Sequence, residues 1–282
     1  MPQISYMTST DNVRLGVGLD RRARALDPDE LAEILEGALD GGARLIVMCD
    51  DVHEDGWAEP IGRLLGKRRD ETVLGAFVGG GGRLAPAEEC RVLLRRLDVA
   101  RLDLCLIPAR GESPIEERVG ELGELVREGL VAGLGLYGDE PEPLARAHAE
   151  HALSVAAVDY SLADRRAEAR FLPAARELGL PVLACRPLAG GVLAGRKPAA
   201  DPGIAARLRA AEFIAANEDV GTARLALAWL AARAADLVPV VACSDPIHLE
   251  YDLAAMRTRL SSETIAALDA VFPGPRPEGN GG

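Results

Sequence analysis

Val73-Leu74-Gly75-Ala76-Phe77-Val78, then Pro86-Ala87-Glu88-Glu89 running into Leu93-Leu94-Arg95-Arg96-Leu97, then Leu104-Cys105-Leu106-Ile107: this stretch decides the fold. Its two outer runs are apolar without alternation, the pattern of strands covered on both faces. Between them a proline and two acids open a helix. Proline at the first helical position gives up an N–H that has no partner there, and acids suit the positive end of the helix dipole. Two strands joined through a helix run parallel, because the crossover returns the chain to the same end of the sheet.

Outward from this unit the same grammar repeats. Apolar runs at residues 15–19, 45–49, 73–78, 104–107, 131–137, 155–160, 182–185 and 237–243 read as eight buried strands. Asp27-Pro28-Asp29-Glu30 caps and opens a helix through Leu31-Ala32-Glu33-Ile34-Leu35, and Gly41-Gly42 stops it. Pro114-Ile115-Glu116-Glu117 opens another that Gly129 closes, and further helices read at residues 140–149, 165–178 and 222–234. Ser261-Ser262-Glu263 caps a last one ending at Val271. The repeat predicts an α/β fold, a closed (β/α)8 TIM barrel, as a single domain over residues 1–272. Residues 1–13 are expected to form an N-terminal β-hairpin plugging its floor. Residues 273–282, opening Pro273-Gly274-Pro275-Arg276-Pro277, are expected to be a disordered tail.

Composition narrows the function. A length of 282 residues suits one barrel, and 48% hydrophobic residues supply its core. The formal net charge of -12 repels phosphate backbones and anionic lipid, so nucleic acid and membrane surfaces are not expected partners. No apolar run reaches the roughly 20 residues of a membrane span, and Met1-Pro2-Gln3-Ile4-Ser5 lacks a secretory pattern. Cys49, Cys90, Cys105, Cys185 and Cys243 form no CxxC pair and read as reduced, buried thiols of a cytoplasmic protein. No motif gathers metal ligands.

Several segments resemble the aldo/keto reductase superfamily across nearly the whole chain. The stretch from Leu94 through Asp98 and Asp103 to Leu104 looks like that family's fourth-strand signature. Leu125-Val126-Arg127-Glu128-Gly129-Leu130-Val131 is similar to its approach to strand five, and Leu172-Pro173-Ala174-Ala175-Arg176-Glu177-Leu178-Gly179 to the helix before strand seven. Pro187-Leu188-Ala189-Gly190-Gly191-Val192-Leu193-Ala194-Gly195 is similar to the loop after it. The resemblance implies carbonyl reduction with NADPH, using a tyrosine as proton donor, a lysine and aspartate that make it acidic, and a histidine on the carbonyl. At those four positions stand Tyr→Val52 (or His53, with one extra loop residue), Lys→Phe77, Asp→Val47 and His→Pro108. The carboxamide and ring contacts fall on Tyr137-Gly138, Ala157, Cys185 and Arg186, and the 2′-phosphate contacts on Ala242-Cys243-Ser244-Asp245.

These replacements lead to the expectation of an aldo/keto reductase-like pseudo-oxidoreductase. It would bind a small organic molecule, use no nicotinamide cofactor and carry out non-redox proton transfer: dehydration, isomerisation or cyclisation, as a lyase or isomerase. His53, Asp50, Asp51 and Tyr137 are its candidate catalytic groups, the imidazole being tuned by a neighbouring aspartate. Val47, Phe77, Pro108, Trp57 and Arg186 are candidates for the substrate wall. Two alternatives stand beside it: an NAD(P)H-dependent oxidoreductase with a rearranged site, and a non-catalytic binding or regulatory protein. Tyr137, with no lysine near, is expected to keep a phenol's ordinary pKa of about 10. Arg186 is read either as an anion ligand or, by preference, as filler of the nicotinamide space paired with Asp159 or Asp245.

Overall fold

The structure, a computed structural model, describes residues 14–49, 58–80 and 84–275. The hairpin expected at residues 1–13 and most of the expected tail, 276–282, lie outside the described residues.

Eight parallel strands close a barrel in sequence order: β1 (Gly16–Leu19), β2 (Leu45–Met48), β3 (Val73–Phe77), β4 (Leu104–Pro108), β5 (Leu134–Tyr137), β6 (Val155–Asp159), β7 (Val182–Cys185) and β8 (Leu237–Ala242). β8 returns to β1 with Val240 opposite Gly16. Each strand is apolar on both faces for a different reason on each. Leu45, Val47, Val73, Leu104, Leu106, Val155, Leu183 and Val238 point inward and fill the barrel. Their alternates, such as Ile46, Leu74, Cys105, Ala156 and Ala184, point outward against the helices. Room inside is tight: a Cβ on Gly135 would come within 2.5 Å of Val155 Cγ2 and 2.7 Å of Leu106 Cδ2, so β5 needs glycine there.

The helix signals act as read. Asp27 and Glu30 form a reciprocal capping box over the helix Pro28–Asp40, with Asp29 N–H donating to Asp27 Oδ1 at 2.9 Å and Asp27 N–H to Glu30 Oε2 at 3.2 Å. Four helices went unread in the sequence: Arg21–Arg24, Ala58–Arg68, Pro202–Asn217, capped by Asp201, and Pro246–Arg257, capped by Asp245. Of the expected helix at 165–178, residues Arg166–Glu168 form a 3-10 turn and only Phe171–Glu177 is α-helical.

Outside the barrel wall, charged groups bind the last helices to the sixth loop. Arg165 grips Glu168 with two nitrogens, both at 2.9 Å, and reaches Asp269 at 2.7 Å. Trp229 lies between the Arg165 and Arg233 guanidinium groups at 5.1 and 5.0 Å and donates its indole N–H to Asp269. Among the described helices none is long and apolar enough to cross a membrane.

Candidate active site

In barrels of this class side chains at the carboxyl ends of the strands face the mouth. Here those ends open onto a cavity of about 660 Å³. Its wall divides into two arcs of different chemistry.

The β2–β4 arc is apolar. Val47 is fully buried inside the barrel, one layer below the cavity. Phe77 and Pro108, the last residues of β3 and β4, line the cavity itself. The chain beyond β4 is held by Arg118, a buried guanidinium that donates to the carbonyls of Pro108 at 2.7 Å, Ala109 at 2.8 Å and Ser113 at 3.0 Å. Burial holds the Arg118 pKa below its ordinary value.

The β5–β7 arc is polar. Register places Pro108 beside Tyr137, Tyr137 beside Ala157, and Asp159 beside Cys185. Asp159 therefore stands two residues past Tyr137's neighbour and on the same face of the sheet. The Tyr137 hydroxyl donates to Asp159 Oδ1 at 3.0 Å, while Phe77 meets the phenol ring edge-on, with centroids 5.4 Å apart and an interplanar angle of 85°. Arg186 Nε lies 3.7 Å from the other carboxylate oxygen. Burial, then the Asp159 charge, pushes the Tyr137 phenol well above its usual range, which corrects the expectation of an ordinary phenol. Burial also raises Asp159, against the opposing pull of the Tyr137 hydrogen bond and the Arg186 charge. Cys185 lies beside them with its thiol raised by burial, so it is not a thiolate nucleophile.

Arg186 does not fill a vacated space. Its side chain is 66% exposed and projects along the cavity wall, from a residue with φ of 50°. Asp245, set in the sequence against a phosphate, is a helix cap: it accepts from Ile247 N–H at 2.8 Å and pairs with His248 Nδ1 at 3.2 Å. Of the thiols expected to be buried, Cys49 is exposed and lines the cavity with half-buried Cys185. The cavity is also lined by Arg21, Arg22, Arg196 and Lys197. Asp50, Asp51, Val52, His53 and Trp57 lie outside the described residues. Sequence reasoning offered Asp159 only as a partner of Arg186, beside which it stands, and missed its hold on Tyr137; the parity of β5 and β6 was the signal that could have found it.

Comparison with known proteins gives a consistent picture. The model of the aldo/keto reductase family matches residues 14–272. Over 203 residues the chain is 30% identical to a probable aldo-keto reductase 1 of Glycine max, a match that spans 65% of this chain and 59% of that protein. It is 28% identical over 285 residues to the aldo-keto reductase str7 of Strobilurus tenacellus, covering 88% of this chain and 84% of the relative. A crystal structure of an aldo-keto reductase from Klebsiella pneumoniae in complex with NADPH superposes with a TM-score of 0.78 at 26% identity, covering 93% of this chain and 92% of that one. A second structure of aldo/keto reductase from that organism, with NADP and acetate, agrees equally.

These findings overturn two expectations: a barrel that has left NADPH-dependent carbonyl reduction for lyase or isomerase chemistry, and a site without a nicotinamide cofactor. The relatives carry reductase names, and the structural neighbours hold NADPH or NADP. The error came from reading the apolar side chains at four family positions as the loss of reduction itself, although Tyr137 and Arg186 were already placed at the mouth. The mouth has eight strand ends, and the next arc carries a tyrosine, a carboxylate and a guanidinium in mutual contact.

Proposed function

Because the chain belongs to the aldo/keto reductase family, we propose that it is an NAD(P)H-dependent oxidoreductase with a rearranged site, acting on a small carbonyl compound. In this reading Tyr137, on β5, gives up the proton. The observation that carries it is the Tyr137 hydroxyl bonded to Asp159 at 3.0 Å on the wall of a cavity that is also lined by cationic side chains.

The cavity suits a phosphate-bearing cofactor in charge. In a chain of net charge -12, Arg21, Arg196 and Lys197 face it, and among the described residues none of them forms an ion pair. They would hold the phosphates, since phosphates recruit guanidinium and ammonium donors. Hydride is the chemistry that such a cofactor supplies when bound.

The chain's own residues account for the rest. Reducing a carbonyl builds negative charge on its oxygen, and a positioned donor must neutralise it. The Tyr137 proton stays on the phenol throughout the physiological range, because burial and Asp159 raise it. Asp159 holds the Tyr137 proton in the resting site, the hydroxyl turns from the carboxylate to the carbonyl oxygen as it gives that proton up, and Phe77 packs edge-on against the phenol ring. Arg186 balances the carboxylate. The apolar arc of Phe77 and Pro108 excludes water from the reacting carbon.

The cysteines among the described residues are all free thiols, which supports a reducing compartment such as the cytoplasm as the place of action. The test is titration of the folded protein with NADPH and NADH, followed by cofactor emission, then oxidation assays with small aldehydes. Micromolar binding and aldehyde-dependent oxidation are expected. Folded protein that neither binds nor oxidises either cofactor contradicts the reading.

A further inference from the structure

Arg186 carries a feature that proton donation to a carbonyl does not require. Its φ of 50° is left-handed, a conformation that a side chain with a Cβ adopts at a cost of about 1 kcal/mol or more. Ala189, three residues on, is held the same way at φ 50°, and its N–H closes the turn onto the Arg186 carbonyl at 2.8 Å. The turn aims the guanidinium across Gly190. A Cβ there would lie 2.8 Å from Arg186 Nη2, and Gly190 itself has φ of 66°. Two strained residues and one obligatory glycine thus set one side chain along the cavity wall.

That side chain has donors to spare. The shortest contact of Arg186 with Asp159, from Nε, is 3.7 Å, too long for a hydrogen bond. Among the described residues neither Nη nitrogen has a hydrogen-bond partner, although a guanidinium offers five N–H donors in a fixed fork. The other acid nearby, Asp164, is gripped by Arg166 with two nitrogens, at 2.9 and 2.7 Å. Asp159 gives its Oδ1 to Tyr137. One carboxylate therefore bridges the proton donor and an open guanidinium fork, and places the two within the length of a short molecule.

We infer that Arg186 is a specificity residue that takes the carboxylate of the substrate, so that the preferred substrates are small oxo acids whose carbonyl lies a few bonds from the acid group. The inference rests on the reductase reading for the carbonyl half and on the Arg186 geometry alone for the acid half. The Nη edge of Arg186 receives the carboxylate as a two-pronged pair, and the carbonyl then faces the Tyr137 hydroxyl. Arg196 and Lys197 lie along the same cavity and are left to the cofactor.

Two measurements test this separately. In the first, benzoate and its neutral isostere benzamide are titrated into folded wild type, R186M, R186K and R207M by calorimetry, without cofactor. Benzoate is expected to bind about tenfold more tightly than benzamide. R186M should abolish that preference, R186K should keep part of it, and R207M, which removes an exposed cation outside the cavity, should leave it in place. G190A, which crowds the guanidinium, should weaken benzoate binding in a second way. In the second, wild type and R186M reduce 3-carboxybenzaldehyde and its methyl ester with NADPH. The acid-to-ester ratio of kcat/KM should fall about tenfold in R186M, through KM. Equal benzoate and benzamide affinity, benzoate binding untouched by R186M, or an acid-to-ester ratio unchanged by R186M overturns the inference. If neither aldehyde is turned over, the benzoate titration alone decides it, and the reading that has failed is the reductase one.

Discussion

The two arcs of the barrel mouth share a backbone and differ in nearly everything else. On β2–β4 the residues are Val47, one before the end of its strand, and Phe77 and Pro108 at the ends of theirs, apolar and, at Val47, sealed from solvent. On β5–β7 the equivalent ends bring Tyr137, Asp159 and Arg186 into one hydrogen-bonded and ion-paired chain. The difference teaches that a closed barrel offers the same vantage on its cavity from every strand. A donor can thus stand on a neighbouring strand without any change of fold. On this account the apolar arc is structural and the polar arc chemical, and variants should separate accordingly.

The largest effect is expected from forcing charge back into the apolar arc. V47D buries an unpaired carboxylate inside the barrel and should cost about 4 kcal/mol or more, seen as insoluble protein or a collapsed denaturant midpoint. The double variant V47D/F77K, which supplies a partner, should recover part of that loss. A fully stable V47D would break the distinction. R118M comes next. It leaves three half-buried carbonyls at and beyond the end of β4 without that donor and should destabilise by about 2 kcal/mol. The protein that remains folded should turn over within a few-fold of wild type.

The polar arc should respond the other way. D159N keeps the fold but removes the charge that helps to raise Tyr137. Aldehyde reduction should slow about tenfold, in line with a positioning role. Its alkaline limb should begin at lower pH, because the rate needs the protonated phenol and that phenol now titrates earlier. An unshifted limb would assign the raised phenol to burial alone. The smallest effect sits beside the cationic side of the cavity. Buried Asp252 is pushed up to about 7 by burial, against the pull of Arg196. A folded value above the ordinary 3.8 means that the charged form is the disfavoured one. Its cost is absent at low pH and grows as pH rises through about 7. D252N should therefore match wild type in Tm near pH 4 and exceed it by a few degrees at pH 8. A Tm gain that is flat with pH would show that Asp252 is paired more strongly than its surroundings suggest.

Much of the fold is legible because its signals are local. All eight strands read from unbroken apolar runs, since each is buried on both faces. The helices Pro202–Asn217 and Pro246–Arg257 escaped notice although Asp201-Pro202 and Asp245-Pro246 repeat the grammar of Asp27-Pro28. Their apolar residues do not sort to one side: Phe213, Ile247 and Tyr251 face solvent. Asp245 shows the cost of that omission, for an acid read as repelling a phosphate is the cap that starts a helix.

The site was legible in one arc only. Val47, Phe77 and Pro108 could be placed by their flanks, because absence at a known position needs no geometry. The contact of Tyr137 with Asp159 joins residues 22 apart in sequence, and it exists only once β5 and β6 lie side by side in a fixed register. The open fork of Arg186 depends on a left-handed turn that no residue type in Arg186-Pro187-Leu188-Ala189 announces.

The measurement closest to the central claim is the rate of NADPH-dependent aldehyde reduction by Y137F set beside P108A, both checked for an unchanged melting temperature. The phenol-to-benzene change removes the proposed donor and little else. The account predicts that kcat falls about a hundredfold or more in Y137F and less than about threefold in P108A. Full activity in Y137F would contradict it and return the proton donor to some other part of the mouth.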